Sequence, residues 1–518
     1  MAKDLDACDA ELTVALELAA GVYTDGTADV RRADPVRWSY GIAGSTPTAR
    51  VASSGSCTLT LSNHAGGDLA AGRWSPDHRN CTPGFDVGIG IRIGLSYGGA
   101  TTYKKYYLEA IQPTAGDHGV RATLITGVDL LDAYARFRLR GLTVQTNKRS
   151  DQLFTLIYGA VTKQPDRTAI GTGQDTYAYA FDNLQEEKTA MAAFQQLALS
   201  ELGYIAVKRD GVSGETLVFE DRHSRTKTAT NAYTFRGDTD QLTLSRNRSA
   251  IYNVVGVTAH PRRLDTSDVV LWDQGDAVPK IEAGQTLKPF GPFRDPDQEA
   301  ARVGGTSMIT PAATTDFLLN TAADGSGSNV TASCTVAAVF NATGVRWTIT
   351  NNTAADAYVT KLQCRGRGLY DYAQAHMEAS DTDSMTTYGE RAMSFDMPYQ
   401  DDQRVAQRVA DYILGMHKDP VTTIQEISYI ANRNPDLMDA AISLDVSDRI
   451  GIQENQTGVD DVVAGTSTRG HFINAVNFER GDVLRVGYTL VPSDAVSFWI
   501  LENAGASVMD ITTRCGYL

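Results

Sequence analysis

The chain lacks the sequence signatures of the commonest catalytic and metal-binding sites. No H-E-x-x-H, G-x-S-x-G or P-loop motif occurs, and no cysteine and histidine form a known catalytic signature. Its six cysteines include no C-x-x-C pair, so free thiols in a reducing cytoplasm are a simpler interpretation than a zinc site or a disulfide framework. We predict no enzymatic activity, no catalytic residue, no cofactor and no bound metal. The eight histidines, none spaced as metal ligands, are His64, His78, His118, His223, His260, His376, His417 and His471.

Long apolar runs are also missing. Acidic residues interrupt the first 21 residues, so this segment does not resemble a signal peptide, and no later segment stays apolar over the roughly 20 residues that a membrane-spanning helix needs. We therefore predict no membrane-spanning segment and assembly in the cytoplasm.

Basic residues are in deficit. The chain carries 47 Lys and Arg residues against 62 Asp and Glu residues, for a formal net charge of −15. A phosphate-binding surface for nucleic acid is not expected from this balance. The acidic surplus suits an ordinary soluble protein, or the wall of a channel that DNA crosses without specific binding.

Alternation of apolar and polar residues dominates the first part of the chain. Leu12, Val14, Leu16 and Leu18 alternate with more polar neighbours, the two-residue period of a half-buried strand. Similar alternation recurs at residues 36–40, 57–61, 87–93 and 120–126, with turn residues between. This spacing indicates a β-barrel or a β-sandwich.

The strand predicted at residues 87–93 has one apolar face and one nearly bare face. Gly88, Gly90, Arg92 and Gly94 occupy the bare face. Two interpretations stay open: another backbone approaches closely, or the glycines allow a strongly curved barrel strand. A phosphate-binding glycine loop is disfavoured because these glycines do not open a helix.

Helical periodicity appears after residue 141. Helices are predicted at residues 150–161, 186–202 and 401–416, and a hairpin is predicted around residues 204–219. Together these features predict a mainly β, multi-domain (α+β) chain. The expected domains are a first β-barrel-like domain (1–142), an α/β domain (143–236), a second β-barrel-like domain (237–272 and 379–518) that contains the helix at 401–416, and an inserted β-sandwich-like domain (273–378).

Several acidic clusters have a structural interpretation. Residues 381–390 share features with a calcium loop, but the required glycine and the glutamate spacing are wrong. Residues 324–329 are typical of a flexible turn. The pairs Glu186 with Glu187 and Asp401 with Asp402 are expected at helix starts, where carboxylates interact favourably with the helix dipole.

Three clusters of short motifs follow one another along the chain. The first cluster comprises the strand at 12–18, Tyr23-Thr24-Asp25, the strand at 36–41, the segment 57–63, Gly72-Arg73-Trp74-Ser75-Pro76, Thr82-Pro83-Gly84 and the strand at 87–93. The second comprises residues 356–362, Arg365-Gly366 and residues 387–391, and the third comprises Val491-Pro492, residues 499–501 and residues 512–517. In this order the clusters resemble the tail-tip (baseplate) hub proteins of long-tailed bacteriophages. Ser39-Tyr40-Gly41 departs from the Arg-Gly that is common in this family, and Cys515 stands where an apolar residue is usual.

The resemblance implies a structural role in a phage virion. Three subunits, each with two barrel-like domains, would form a pseudo-six-fold ring that continues or closes the tail tube and opens for DNA passage. The implied partners are distal tail and tail-tube proteins, the tape-measure protein, and receptor-binding proteins or fibres. Genome DNA would pass through the ring without specific binding.

Two alternatives remain. A host-receptor- or carbohydrate-binding tail protein would use exposed aromatic residues of the inserted sandwich, for which Trp272, Phe290, Phe293 and Phe317 are candidates. A cell-wall hydrolase without a familiar motif would need two carboxylates facing each other in a cleft.

Overall fold

A computed structural model describes residues 8–63, 72–114, 121–184, 188–225, 228, 230–453, 470–493, 497–499 and 513–515, the last two segments by their backbone alone. Strands dominate this part of the chain. The first strands are β1 (Glu11–Ala19), β2 (Val22–Asp25), β3 (Val36–Gly41), β4 (Ser53–Ser62), β5 (Gly90–Tyr97), β6 (Ala100–Pro113), β7 (Ala122–Val128), β8 (Gln145–Arg149), β9 (Arg167–Ile170), β10 (Thr176–Ala180), β11 (Tyr204–Lys208), β12 (Thr216–Glu220), β13 (Tyr233–Arg236), β14 (Gln241–Ser245) and β15 (Val254–Ala259).

The later strands belong mainly to the inserted domain and the C-terminal part. They are β16 (Arg263–Leu264), β17 (Val269–Asp273), β18 (Lys280–Ile281), β19 (Thr286–Leu287), β20 (Phe290–Pro292), β21 (Gly304–Thr306), β22 (Phe317–Asn320), β23 (Cys334–Asn341), β24 (Gly344–Asn351), β25 (Ala357–Tyr370), β26 (Ala375–Ser380), β27 (Ala392–Asp396), β28 (Thr423–Ile430), β29 (Arg449–Gln453), β30 (Gly470–Arg480), β31 (Leu484–Pro492), β32 (Ser497–Trp499) and β33 (Thr513–Cys515). The α-helices of the described residues are α1 (Leu130–Arg136), α2 (Ser150–Ala160), α3 (Ala190–Glu201), α4 (Thr382–Tyr388), α5 (Gln403–His417) and α6 (Pro435–Ser443).

One 13-stranded sheet contains strands from both ends of the chain. Its main order is β14-β28-β31-β30-β3-β4-β7-β6-β5-β1-β2. In addition, β29 pairs with β30, and β13 pairs with β29. The antiparallel pairing of β3 with β30 joins the N-terminal strands to the C-terminal strands. The mainly β, multi-domain architecture is confirmed. Where the chain is described, most strands of the two expected barrel-like domains form one open sheet and no closed barrel, whereas β15 and β27 belong to a separate small sheet.

The alternation in β3 explains how this joint is held. Val36, Trp38 and Tyr40 are buried, and Trp38 stacks on Phe478 of β30 with ring centroids 4.8 Å apart. Such a pair contributes about 0.5–1.5 kcal/mol beyond the burial of its area. On the same side α1 packs against β4, and α6, from the C-terminal part, packs against β5 and β6. One side of the sheet is therefore covered, and the two ends of the chain share one core.

The α/β module agrees with its predicted elements. β11 and β12 form the expected hairpin, and β9 adds to β12 in parallel. α3 begins after Thr189, whose hydroxyl accepts a hydrogen bond from the Ala192 amide, and it ends at Leu202 in the left-handed conformation. The pair Glu186 and Glu187, expected at this helix start, lies outside the described residues.

The inserted segment forms two sheets around their own core. A six-stranded sheet is built on β25, and a four-stranded sheet is built on β24. Trp347 of β24 is fully buried and lies 6.2 Å from Trp272 of β17, measured between ring centroids. The two sheets thus pack as a sandwich.

A small third sheet, β26-β15-β27, packs on α5. The helix predicted at residues 401–416 is observed at Gln403–His417, and the Asp402 carboxylate accepts a hydrogen bond from the Arg404 amide. The capping role expected for Asp402 follows from this bond.

Of the two interpretations of the glycine face at residues 87–93, the close approach of another backbone is not observed at Gly90 or Gly94, and the curved strand stays a prediction. β5 begins only at Gly90, and Val87 is exposed. A Cβ on Gly94 would lie 2.8 Å from the ring of Tyr103, and the Arg92 guanidinium lies 3.9 Å from the ring centroid of Tyr23. Side chains of neighbouring strands, among them Tyr23 and Tyr103, lie against Gly90 and Gly94, whereas a Cβ on Gly88 would meet no atom within 4 Å.

Candidate functional site

The uncovered side of the long sheet carries small polar residues where the two ends of the chain meet. The side chains of Arg37, Ser39, Ser56, Thr58, Glu426, Ser428, Ala475, Asn477, Glu479, Arg485 and Thr489, with Gly487, none of them buried, define what we call the junction face. They alternate along β3, β4, β28, β30 and β31 with buried apolar residues. The two-residue period therefore separates a core side from an accessible side.

One cross-strand row runs straight across this joint. Ser428 pairs with Gly487, Gly487 with Asn477, Asn477 with Ser39, and Ser39 with Ser56. The hydroxyls of Ser39 and Ser56 lie 3.4 Å apart. Because every member of the row is small or uncharged, the surface stays shallow and weakly charged over five strands.

Beside this row the surface opens into a groove of about 430 Å³. Its lining includes Ser39, Ser54, Glu426, Asn477 and Thr489. The groove is lined by hydroxyl, amide and carboxylate groups, all of which can form hydrogen bonds.

Charges on the junction face balance. Arg37 and Glu479 form an exposed ion pair at 3.1 Å, and Arg485 and Glu426 add one charge of each sign. The acidic surplus of the whole chain is therefore not concentrated on these residues.

Arginines of the α/β module bind the C-terminal strands from behind the junction face. The Arg225 guanidinium donates to the Asn474 side chain at 2.8 Å and to the Ser447 hydroxyl at 3.1 Å. The Asn474 amide in turn donates to the Gly44 carbonyl at 3.0 Å. Asn474 lies at a bulge in β30, between the stretch that pairs with β29 and the stretch that pairs with β3. This network fixes the place where the two ends of the chain meet.

A second contact links the module to the N-terminal strands. The Lys104 ammonium donates to the Val207 carbonyl at 2.9 Å and lies 3.7 Å from the Asp129 carboxylate. Burial lowers the pKa of Lys104 and raises the pKa of Asp129, and the opposite charge of each partner counteracts part of both shifts. Removing one partner would leave the other buried and uncompensated.

His260 forms a charged cluster that the sequence did not indicate. Its Nδ1 lies 2.6 Å from the Asp371 carboxylate, and its Nε2 contacts the Asp396 carboxylate. Burial acts to lower the pKa of His260, but the two carboxylates outweigh it and raise that pKa to about 9. His260 follows β15, Asp371 follows β25 and Asp396 ends β27, so the cluster ties the sandwich to the small sheet.

The acidic residues at 381–390 and 324–329, noted in the sequence, form local hydrogen bonds. Asp381 caps α4 by accepting from the Ser384 amide at 2.9 Å, and it pairs with Lys418. The Asp324 carboxylate accepts from Ser326 within a turn. Over the described ranges, no group of three or more His, Cys, Asp and Glu side chains is placed to hold a metal ion. Within residues 381–390, Asp381 stands at the start of α4 and Asp383 lies in its first turn.

The aromatic candidates lie mostly in the sandwich core. Phe293 is fully buried, and Trp272 and Phe317 pack partly buried against the same core. Phe290 is 37% exposed. A cluster of exposed aromatic residues, which would favour the receptor-binding alternative, is not formed by these four.

The carboxylates of Asp175 and Glu201 lie close together in the α/β module. Asp175 and Glu201 both contact the Arg222 guanidinium, but the Glu201 side chain has no exposed surface. This pair lacks the access to substrate that the hydrolase alternative requires.

Comparison with known proteins returned structural matches alone. No protein-family model and no curated protein matches the chain. Its fold aligns with a tail protein from Neisseria meningitidis MC58 at a TM-score of 0.48 and 9% identity, covering 93% of this chain and 96% of the other. It also aligns with the 43 kDa tail protein of prophage MuSo2 from Shewanella oneidensis at a TM-score of 0.46 and 9% identity, covering 93% and 97%.

A third match is the prophage tail protein gp18 from Listeria monocytogenes EGD-e, with a TM-score of 0.42 and 9% identity, covering 92% of this chain and 94% of the other. All three solved structures are named as tail proteins, two of them from a prophage. Within the described ranges, no helix is long and apolar enough to cross a membrane.

Proposed function

We propose that the chain is a structural hub subunit of a bacteriophage tail tip or baseplate. Three copies form a ring that continues or closes the tail tube, anchors receptor-binding proteins or fibres, and opens for DNA passage. The observation that supports this proposal is the pairing of β3 with β30. It joins the N-terminal and the C-terminal strands into one continuous sheet with a covered and an accessible side, as the wall of a tube requires. The ordered motif resemblance supplies the trimeric arrangement.

In this proposal the junction face lines the lumen. Hydroxyl and amide groups with balanced charges offer DNA phosphates few strong contacts, so transit needs no specific binding. The lining is closer to neutral than the net charge of the chain suggested, so repulsion of phosphates contributes less than we expected. The domain division expected from the sequence remains part of this proposal, with the two barrel-like domains joined through the pairing of β3 with β30.

Mass photometry combined with cryo-electron microscopy of the purified protein tests the proposal. We expect particles of three times 55.9 kDa with a central channel lined by the junction face. A ring whose channel is lined by another surface contradicts the lumen assignment. A monomer, both alone and when co-expressed with tail-tube proteins, contradicts the hub assignment itself.

A further inference from the structure

We propose that the side chains of Lys104 and Asp129 form an intramolecular amide bond, a covalent crosslink within the N-terminal strands. Lys104 lies in β6, and Asp129 follows β7 and precedes α1. The bond would join Lys104 Nζ to Asp129 Cγ with release of one water molecule. This inference concerns the chemistry of a single chain and does not depend on the proposed hub role.

The two side chains are enclosed together. Each of them keeps only 1% of its surface exposed, and Lys104 Nζ lies 3.7 Å from Asp129 Oδ2. This separation is too long for a strong hydrogen bond, so the two charges are buried without the contact that would best compensate for their lost hydration. The ammonium also lies 4.6 Å from the Tyr40 ring centroid and 5.8 Å from that of Tyr106. An amide bond would remove both charges from this site, and burial would protect the bond from hydrolysis.

Burial also favours the protonation states that the reaction needs. It lowers the pKa of Lys104 and raises the pKa of Asp129, although the opposite charge of each partner counteracts part of both shifts. Transfer of one proton from the ammonium to the carboxylate gives a neutral amine beside a neutral carboxylic acid. The neutral amine is the nucleophilic form of lysine, and the acid offers a hydroxyl that can leave as water. Because both groups are held in one enclosed site, their reaction is effectively unimolecular.

The contacts of Asp129 distinguish its two carboxylate oxygens. Oδ1 accepts hydrogen bonds from the Leu131 amide at 3.1 Å and from the Ser54 hydroxyl at 3.4 Å. These two donors would stabilise the negative charge that develops on Oδ1 when the amine attacks Cγ. Oδ2 accepts no hydrogen bond within the described part of the chain, so its departure leaves no donor without a partner.

The reaction balances within the pair itself. One hydrogen of the Lys104 ammonium moves to Asp129 Oδ2, and the lone pair of the resulting amine attacks Cγ. A second hydrogen moves from Nζ to Oδ2 as the bond between Cγ and Oδ2 breaks, and this oxygen leaves as water. The third hydrogen stays on Nζ, which already donates a hydrogen bond to the Val207 carbonyl at 2.9 Å. The N–H and the carbonyl oxygen of the product therefore both keep hydrogen-bond partners, and no further reactant is consumed.

The neighbouring Lys105 provides a comparison within the same strand. Its ammonium donates a hydrogen bond to the Asp166 carboxylate at 2.7 Å and lies 3.8 Å from the Glu215 carboxylate. Burial acts to lower the pKa of Lys105, but the charge of Glu215 and the bond to Asp166 outweigh it and raise that pKa. Lys105 therefore stays an ammonium, which has no lone pair to attack a carbonyl carbon. We expect no crosslink at Lys105.

Intact-mass spectrometry of the purified full-length protein, followed by peptide mapping, tests this inference. We expect the denatured chain to be lighter than its calculated mass by one water molecule. Tandem spectra should show a branched peptide that joins Lys104 to Asp129. Lys104→Arg should have its full calculated mass, because a guanidinium stays charged and does not attack the acid. Lys105→Arg is the matched control and should keep the loss of one water.

The mass of the wild-type chain needs no variant, so a folding defect in Lys104→Arg cannot obscure the result. A folded wild-type protein at its full calculated mass would overturn the proposal. A water loss that persists in Lys104→Arg, or that maps to a cyclic imide within one unbranched peptide, would overturn it as well. Circular dichroism checks the fold of each variant. None of these outcomes bears on the hub proposal, which is tested by the oligomeric state.

Discussion

Replacing His260 with glutamine tests how strongly the charged cluster ties the sandwich to the small sheet. His260 contacts the carboxylates of Asp371 and Asp396, and its pKa is raised from 6.5 to about 9. Because the folded-state pKa lies above the unfolded value, the stabilisation is fully present below about pH 6.5 and is lost as the pH rises through about 9. Glutamine keeps hydrogen-bonding capacity but cannot carry the charge.

The magnitude follows from the pKa change and the exposure of the partners. Raising a pKa from 6.5 to about 9, at about 1.36 kcal/mol per pH unit, corresponds to at most about 3.4 kcal/mol. The Asp396 side chain is 52% exposed, so solvent screening reduces this value, and we expect about 1.5–2 kcal/mol. For a domain of moderate size this lowers the melting temperature by about 4–8 °C.

Differential scanning calorimetry resolves the transitions of a multi-domain chain and is the suitable assay. We expect one transition of His260→Gln to fall below that of the wild type at pH 7, and the gap to close near pH 10. His376→Gln is the control, because His376 is exposed on the adjacent strand β26. A gap that persists unchanged from pH 7 to pH 10, or that is absent at pH 7, would refute the reasoning.

Three further substitutions test other parts of the structure. Trp38→Ala should lower the free energy of unfolding, measured by chemical denaturation, by about 3–5 kcal/mol, because it removes a buried ring stacked on Phe478. An unchanged free energy of unfolding would contradict the packing of β3 against β30. Gly94→Ala should lower the melting temperature, because the added Cβ would clash with Thr13 and Tyr103. Gly159→Ala, at an open position of α2, is the control and should raise the free energy of unfolding by about 0.5–1 kcal/mol. A shift of the melting temperature in the same direction for both variants would contradict the close packing at Gly94. Asp381→Ala should lower the free energy of unfolding by about 1 kcal/mol, because the N-cap of α4 is lost. Calcium should not change the melting temperature of the wild type, and a calcium-dependent melting temperature would indicate a metal site at residues 381–390.

The pattern of apolar and polar residues predicts those strands and helices that depend on residues close in the sequence. Two-residue alternation predicts the strands β1, β3 and β4, because one side of each is buried whatever lies beside it. Helical spacing with an acidic start predicts α5, where Asp402 caps the helix through a residue only two positions away. These features depend on neighbours in the sequence and so can be read from it.

Partners that are distant in sequence were decided only by the tertiary structure. The alternation of apolar and polar residues in β3 and β30 predicts that Trp38 and Phe478 are buried. The sequence near each strand does not indicate that β3 pairs with β30 instead of closing a separate barrel. His260 meets carboxylates 111 and 136 residues away, and side chains of neighbouring strands lie against Gly90 and Gly94 of β5. Alternation indicates which side of a strand is buried, whereas strand pairing and cross-domain ion pairs depend on the packing of the whole chain.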